Sequence, residues 1–263
     1  MSDEGTGSRK HRKSIQEYLD QAAKLEEQGL FRKAVGELEK ALRRTADKSP
    51  IYKRLADLYQ GQRRLDDAVA ALRKAIRADR EDVQAREMLL ETLLELSRFD
   101  DAIKESKELL RVSPRSLSAR EVLSSAYLQK GTLEKALQVT NELISMDPTS
   151  PVNHFRKAWL YQQKGDVGNA IHEFTRVLEM HPDTEMARYA QQAIDTLDSF
   201  QLRHIVMLAV EDYIFRAKLI RDPEAAALER GYYLSYSGMA ALKQIQFDEL
   251  PEVYAEWKQR YYH

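Results

Sequence analysis

Apolar residues recur along the chain at a constant interval of 34 residues. A large apolar residue stands three positions before a shared alanine, Val, Ile or Leu follows that alanine, and a further aliphatic residue stands eight positions after it. The shared alanines are Ala34, Ala68, Ala102, Ala136 and Ala170. Columns that keep their register over five copies indicate a repeat protein.

Each copy contains two runs of apolar residues with the three-and-four spacing of an amphipathic helix. In the second copy the first run contains Leu55 and Leu58, and the second run contains Leu65, Leu72 and Ile76. A short break separates the runs, and in three copies it contains a glycine: Gly29, Gly131 and Gly165. Glycine suits a helix end because it adopts the left-handed backbone easily. The pattern predicts helix, tight turn and helix in every copy, with the alanine where helices cross closely.

This unit resembles the tetratricopeptide repeat family over residues 15–182. The family has small, aromatic and alanine residues at fixed positions, and the matching residues are Ala56, Ala158, Tyr59, Tyr127, Tyr161, Ala41 and Ala75. The third copy departs from the pattern, with Leu90 and Ser97 where a small residue and glycine are usual. The resemblance implies an all-α fold, a right-handed superhelical solenoid of helix-turn-helix repeats, in which the first helix of each repeat lines a concave peptide-binding groove.

The repeat register and the change of composition after it divide the chain into four segments. We predict a disordered basic tail over residues 1–13, five repeats over 14–182, a capping helix over 183–199 and a C-terminal helical extension over 200–263. The extension begins with an almost wholly apolar stretch, which predicts burial on all sides, and a last short helix is expected from Pro251. The extension is a candidate helical cap, homodimerisation element or partner-specific part of the protein.

Charge and composition argue against several classes of partner. The formal net charge is −1, whereas a nucleic-acid or anionic-membrane binder has a basic surplus. The basic residues of the tail are too few to change this interpretation. There is no cysteine, which excludes a thiol nucleophile and cysteine-ligated zinc. The apolar run Ile205–Val210 is far shorter than the ~20 residues of a membrane span, and no secretory signal is recognisable. We therefore expect a cytoplasmic protein without nucleic-acid or membrane partners.

The adjacent residues His172 and Glu173 raise the question of a zinc protease helix. In such a helix a second histidine stands four residues after the first, but that position is Arg176. The other copies fill the positions of His172 and Glu173 with residues of many kinds, so we expect both side chains on a solvated face. Neither a phosphate-binding glycine loop nor a nucleophile elbow is present. We predict no catalytic residue, no metal and no cofactor.

Positions two, five, nine and twelve of each first helix form one helical stripe, which the family resemblance places on the concave face. In the last three repeats the stripe changes from acidic to apolar and aromatic, which fits a partner peptide with Lys or Arg beside a bulky apolar anchor. The predicted peptide-binding residues are Glu87, Glu91, Leu94, Glu121, Ser125, Leu128, Phe155, Trp159 and Gln162. Phe155 and Trp159 have a second interpretation of equal weight, in which they pack against the following C-terminal helices.

These features predict a non-catalytic scaffold or adaptor that binds peptide segments of partner proteins. The alternative is a regulatory or catalytic role of the C-terminal extension, with the repeats as a recruiting module. A well-known group of the family holds the C-terminal carboxylate of chaperones with a clamp of basic residues. Lys53 matches one clamp position, but Glu87 and Glu91 would repel a carboxylate. That specific function is not expected.

Overall fold

The computed structural model describes residues 13–250, and every regular element within this range is an α-helix. The chain forms two compact units, one that ends at Lys130 and one that begins at Gly131. The predicted all-α, helix-turn-helix fold is confirmed. The predictions for the basic tail up to residue 12 and for a helix from Pro251 lie outside the described residues.

The first unit contains three complete repeats and the first helix of the fourth. Its helices are α1 (Ile15–Glu27), α2 (Phe31–Leu42), α3 (Ser49–Gly61), α4 (Leu65–Ala78), α5 (Val83–Glu95), α6 (Phe99–Val112) and α7 (Leu117–Gln129). Consecutive helices pack against each other, and one hydrophobic cluster takes residues from all seven. The apolar face of each amphipathic helix is thereby buried.

The turn inside each repeat has one residue in the left-handed region of backbone conformation. This residue has the same place in all five copies, and its φ is 70° at Gly29, 60° at Arg63, 56° at Ser97, 68° at Gly131 and 79° at Gly165. A side chain makes this conformation costly, so glycine is the favoured residue. The arginine and the serine adopt it because the packing of the two helices requires the same turn in every repeat.

The shared alanines are fully buried, as the close crossing of helices predicted. The exposed fraction of the side chain is 0% in all five copies, at Ala34, Ala68, Ala102, Ala136 and Ala170. A larger side chain at this place would force the helices apart, because protein interiors are close-packed.

The second unit contains the second helix of the fourth repeat, the fifth repeat and the C-terminal segment. Its helices are α8 (Leu133–Met146), α9 (Pro151–Lys164), α10 (Val167–Met180), α11 (Glu185–Glu211), α12 (Tyr213–Arg221), α13 (Pro223–Glu229) and α14 (Tyr236–Lys243). One hydrophobic cluster joins α9, α10 and the first half of α11. A second cluster joins the last half of α11 to α12, α13 and α14.

The capping helix and the start of the extension are one continuous element, because α11 runs through 27 residues. The predicted boundary between residues 199 and 200 falls inside this helix. The apolar stretch that begins in the second half of α11 and continues through α12 is exposed on one side. Met207 is 57%, Ile214 54% and Ile220 55% exposed. The prediction of burial on all sides is therefore wrong. The packing of α12 to α14 buries a single face, which includes Phe215 and Leu219.

None of the described helices combines the length and the apolar character that a bilayer crossing requires.

Candidate functional site

The first helices of the second, third and fourth repeats are neighbours in the first unit. The helix α5 packs beside α3 and α7 and also contacts the second helices α4 and α6. Stacked helix pairs produce this arrangement, since each repeat contacts the repeat before it and the one after it. Glu87 and Glu91 lie on α5, and Glu121 and Ser125 lie on the adjacent α7.

Three carboxylates of these two helices form what we call the acidic stripe: Glu87, Glu91 and Glu121. The side chain of Glu91 is exposed, and those of Glu87, Glu121 and nearby Ser125 are half-buried. Over residues 13–250, no Lys or Arg lies within ion-pair distance of these carboxylates. Among the described residues these carboxylates have no ion-pair partner, so the acidic stripe attracts cations.

Apolar surface accompanies the acidic stripe at the C-terminal ends of the same helices. Leu94 on α5 is half-buried and packs in part against the core of the unit. Leu128 on α7 is also half-buried. Both leucines leave part of their side chains accessible, so a ligand that reaches the carboxylates also meets apolar contact area.

Lys53, which matches the carboxylate clamp, is engaged within the protein. Its ammonium group lies 3.0 Å from the carboxylate of Asp82 and 2.8 Å from the side-chain oxygen of Gln84. Burial alone would raise the pKa of Asp82, but hydrogen bonds from Ser49, from the backbone N–H of Ala85 and from Lys53 hold it below its usual value. The lysine is therefore occupied and does not face a ligand as a free cation.

The aromatic residues predicted for the site lie on α9 in the second unit, and their surroundings differ. The ring of Phe155 is half-buried and meets Phe174 edge-on, with 5.4 Å between ring centroids. Phe155 packs against the cluster that joins α9, α10 and α11. Trp159 is 38% exposed, and Gln162 is half-buried. The structure thus places Phe155 against the core and leaves much of the Trp159 ring accessible.

Glu173 is 4% exposed, so the prediction that it lies on a solvated face is wrong, whereas His172 is exposed as predicted. One carboxylate oxygen of Glu173 is 2.6 Å from Nδ1 of the buried His154, and the other is 2.8 Å from the ammonium group of Lys157. The Nε2 atom of His154 faces the carbonyl oxygen of Pro148 at 3.1 Å. Both ring nitrogens of His154 therefore lie within hydrogen-bond distance of an oxygen atom.

A cluster of the buried Glu173 and His154 with the half-buried Lys157 connects the two helices of the fifth repeat. Burial alone would raise the pKa of Glu173, but the hydrogen bonds from His154 and Lys157 hold it below its usual value. In the third repeat, Arg86 and Glu105 stand at the positions of His154 and Glu173. The guanidinium group of Arg86 lies 3.7 Å from the carboxylate of Glu105. Both pairs have a spacing of 19 residues. That recurrence is the sequence signal from which the burial of Glu173 could have been predicted.

Within residues 13–250, no group of three or more histidine and acidic side chains is arranged to hold a metal ion.

Comparison with protein families identifies the same type of helical repeat. Models of the tetratricopeptide repeat match residues 53–106, 91–151 and 153–184. No curated protein matches the chain.

Solved structures share the fold at low sequence identity. The crystal structure of YrrB, a TPR protein with an unusual peptide-binding site, is 20% identical, with a TM-score of 0.56, and the match covers 68% of this chain and 92% of YrrB. A crystal structure of MamA is 21% identical, with a TM-score of 0.57 and coverage of 64% and 92%. MamA from residue 41 onward of Desulfovibrio magneticus RS-1 is 18% identical, with a TM-score of 0.57 and coverage of 65% and 97%. At these identities the likeness shows the fold alone.

Proposed function

Since this chain is a tetratricopeptide-repeat protein, we propose that it is a non-catalytic scaffold that binds peptide segments of partner proteins. One observation carries the proposal: the acidic stripe of Glu87, Glu91 and Glu121 is exposed or half-buried and has no cation within ion-pair distance among residues 13–250. Stacked first helices offer an extended surface along which a peptide can lie. YrrB, which has the same fold, also has a peptide-binding site.

The expected partner segment has Lys or Arg beside a bulky apolar side chain. The acidic stripe attracts the cation, and Leu94 and Leu128 provide apolar contact next to it. In the second unit, Trp159 on α9 stands at the repeat position that Glu91 and Ser125 occupy in the two preceding repeats. Its large ring is partly exposed. An exposed aromatic ring of this kind is a frequent anchor in protein interfaces.

Charge reversal tests the role of the acidic stripe. A lysine- and leucine-containing peptide should associate with the Glu91→Lys, Glu121→Lys chain about tenfold more slowly at low salt, with a smaller effect as salt rises. Stopped-flow fluorescence measures this rate. The control chain has Glu39→Lys and Glu81→Lys, which change the net charge equally at other exposed positions. Equal slowing in both chains would mean that net charge and not the acidic stripe attracts the peptide.

Two alanine variants of α9 separate binding from stability. Trp159→Ala should weaken peptide binding by ~2 kcal/mol or more and leave the free energy of unfolding within ~1 kcal/mol. Phe155→Ala should lower the free energy of unfolding by ~2–3 kcal/mol, because its ring packs against Phe174. Calorimetry measures the affinity and chemical denaturation the stability. Unchanged affinity with lowered stability for Trp159→Ala would show that this ring is part of the core.

A further inference from the structure

A cleft of about 620 Å³ lies in the second unit between α10 and the segment that contains α13 and α14. Its walls come from the second helix of the fifth repeat and from the C-terminal extension, so it is separate from the surfaces of the first helices. A neighbouring cleft of about 430 Å³ is bordered by some of the same residues, among them Leu234, Tyr236 and Met239. We call the larger cavity the Tyr236 cleft.

Two tyrosines at the Tyr236 cleft are open to solvent. Tyr236 is 95% exposed, the largest fraction among the large apolar and aromatic side chains of the described residues, and Tyr233 is 51% exposed. Tyrosine is enriched in binding surfaces because it offers a large rigid contact area at a low entropy cost. A ring that is exposed at the edge of a cleft is therefore a candidate ligand contact.

The segment that presents these rings is fixed by buried polar side chains of α11. Gln201 accepts a hydrogen bond from the backbone N–H of Tyr233 at 2.8 Å and donates one to its carbonyl oxygen at 2.7 Å. Asp198 accepts hydrogen bonds from the N–H of Ser235, at 2.9 Å, and from its hydroxyl group. Asp198 and Gln201 are each 4% exposed. These bonds hold the backbone on both sides of Leu234, so the wall is formed before a ligand arrives, which lowers the entropy cost of binding.

A glycine of α10, Gly168, leaves room for the ring of Tyr233 in this wall. The ring of Tyr233 lies against Gly168, and a Cβ atom at Gly168 would come within 2.9 Å of that ring. The other four repeats have a charged residue at the same place: Arg32, Asp66, Asp100 and Glu134. Glycine in the fifth repeat alone therefore allows the tyrosine to lie close to the helix and form one side of the cleft.

The walls of the Tyr236 cleft combine carboxylates, aromatic rings and apolar side chains. Asp166 and Glu224 border the cleft, and the described residues that border it include no Lys or Arg. Glu224 pairs with Lys243 at 3.0 Å, which borders the neighbouring cleft. Ile171 and Leu228 provide apolar wall. An arginine side chain matches this set, because its weakly hydrated guanidinium group binds both aromatic faces and carboxylates while its stem packs on apolar surface.

We propose that the Tyr236 cleft is a second binding site, which accepts an arginine side chain of a partner peptide. The guanidinium group lies against the ring of Tyr236, and the opposite charge comes from Asp166, which also caps α10 and accepts hydrogen bonds from Asn169. The site belongs to the C-terminal extension and α10, and it does not require the acidic stripe.

The test uses the full chain with Glu91→Lys and Glu121→Lys, so that the acidic stripe does not contribute. The probe is a fluorescein-labelled peptide, Gly-Ser-Leu-Arg-Leu-Gly-Ser, and the control probe has citrulline in place of arginine, which keeps the shape and removes the charge. Fluorescence anisotropy should show binding of the arginine peptide and about tenfold weaker binding of the citrulline peptide. In the same background, Tyr236→Ala should weaken binding of the arginine peptide about tenfold. Tyr213→Ala, which removes another exposed ring of 70% exposure, should leave it unchanged.

Several results would overturn the proposal. Equal affinity for the two peptides would exclude recognition of the guanidinium charge, and unchanged binding to the Tyr236→Ala chain would place the peptide elsewhere. A lower melting temperature of the peptide-free Tyr236→Ala chain would show that the ring packs on a segment of this chain, such as residues 251–263. A concentration-dependent dimer that Tyr236→Ala abolishes would show that a second copy is the occupant. Loss of binding already in the Glu91→Lys, Glu121→Lys background would assign the peptide to the acidic stripe.

Discussion

The same residue, alanine, stands where the helices cross in every repeat of this chain, and its side chain is a single methyl group. Ala102 has no exposed surface, and the same is true of its four equivalents. The packing around a fully buried methyl group leaves no room for a longer side chain. The identity of this one residue therefore sets how closely the helices approach.

Ala102→Leu should lower the free energy of unfolding by ~1–3 kcal/mol, because the added carbons overpack the crossing. His172→Ala should change it by less than ~0.5 kcal/mol, since the ring is exposed. Chemical denaturation of both variants measures the two values. Equal effects, or a larger effect for His172→Ala, would contradict the repeat register.

A second residue-scale feature is the left-handed turn position, which Ser97 occupies with a φ of 56°. Ser97→Gly should raise the free energy of unfolding by up to ~1 kcal/mol, because glycine adopts this conformation without a Cβ penalty. Gly165→Ala, at the same place with a φ of 79°, should lower it by ~1 kcal/mol. Urea denaturation gives both values, and a loss of stability in the Ser97→Gly chain would show that its side chain has a stabilising role instead.

At the scale of helices, the fifth repeat is held together by charge as well as by apolar packing. Glu173 on α10 bonds to His154 and Lys157 on α9, and its partners lower its pKa in the folded state. A carboxyl group whose pKa is lower in the folded than in the unfolded chain stabilises the protein at every pH above the pKa of the unfolded chain. That stabilisation is lost as the pH falls through the folded value.

Glu173→Gln should lower the free energy of unfolding at pH 7 by about 3 kcal/mol, because the ammonium group of half-buried Lys157 loses its counter-charge and the buried His154 ring loses a charged hydrogen-bond partner. The difference from the unchanged chain should shrink as the pH falls below the ordinary glutamate value of 4.5. Denaturation curves from pH 7 to pH 3 measure it, and Glu179→Gln on the exposed side of the same helix is the control. A difference that stays constant over this range would contradict the lowered pKa.

For the whole molecule, the repeats could be predicted because residues of the same type recur at a constant interval in the sequence. The crossing alanines, the helix pairs and the turn position recur as columns, and a column remains visible even where Ser97 replaces glycine. The burial of Glu173 is not visible in a single column, because its partners lie on another helix and the signal is a pair of positions. The extension has no second copy to compare. Neither the continuity of α11 nor the exposure of Tyr236 could be predicted from apolar content alone.

Peptide binding by the acidic stripe is the central claim, and selection from a random peptide library on the full chain with Tyr236→Ala, which removes the proposed second site, tests it most directly. The claim predicts enrichment of peptides with Lys or Arg beside Leu, Ile or Phe. These peptides should bind at least about tenfold more weakly to a chain with Glu87→Gln, Glu91→Gln and Glu121→Gln. A control chain with Glu39→Gln, Glu81→Gln and Glu179→Gln should bind them unchanged. Failure to enrich any peptide, enrichment of acidic peptides, or equal binding by both variant chains would contradict the claim.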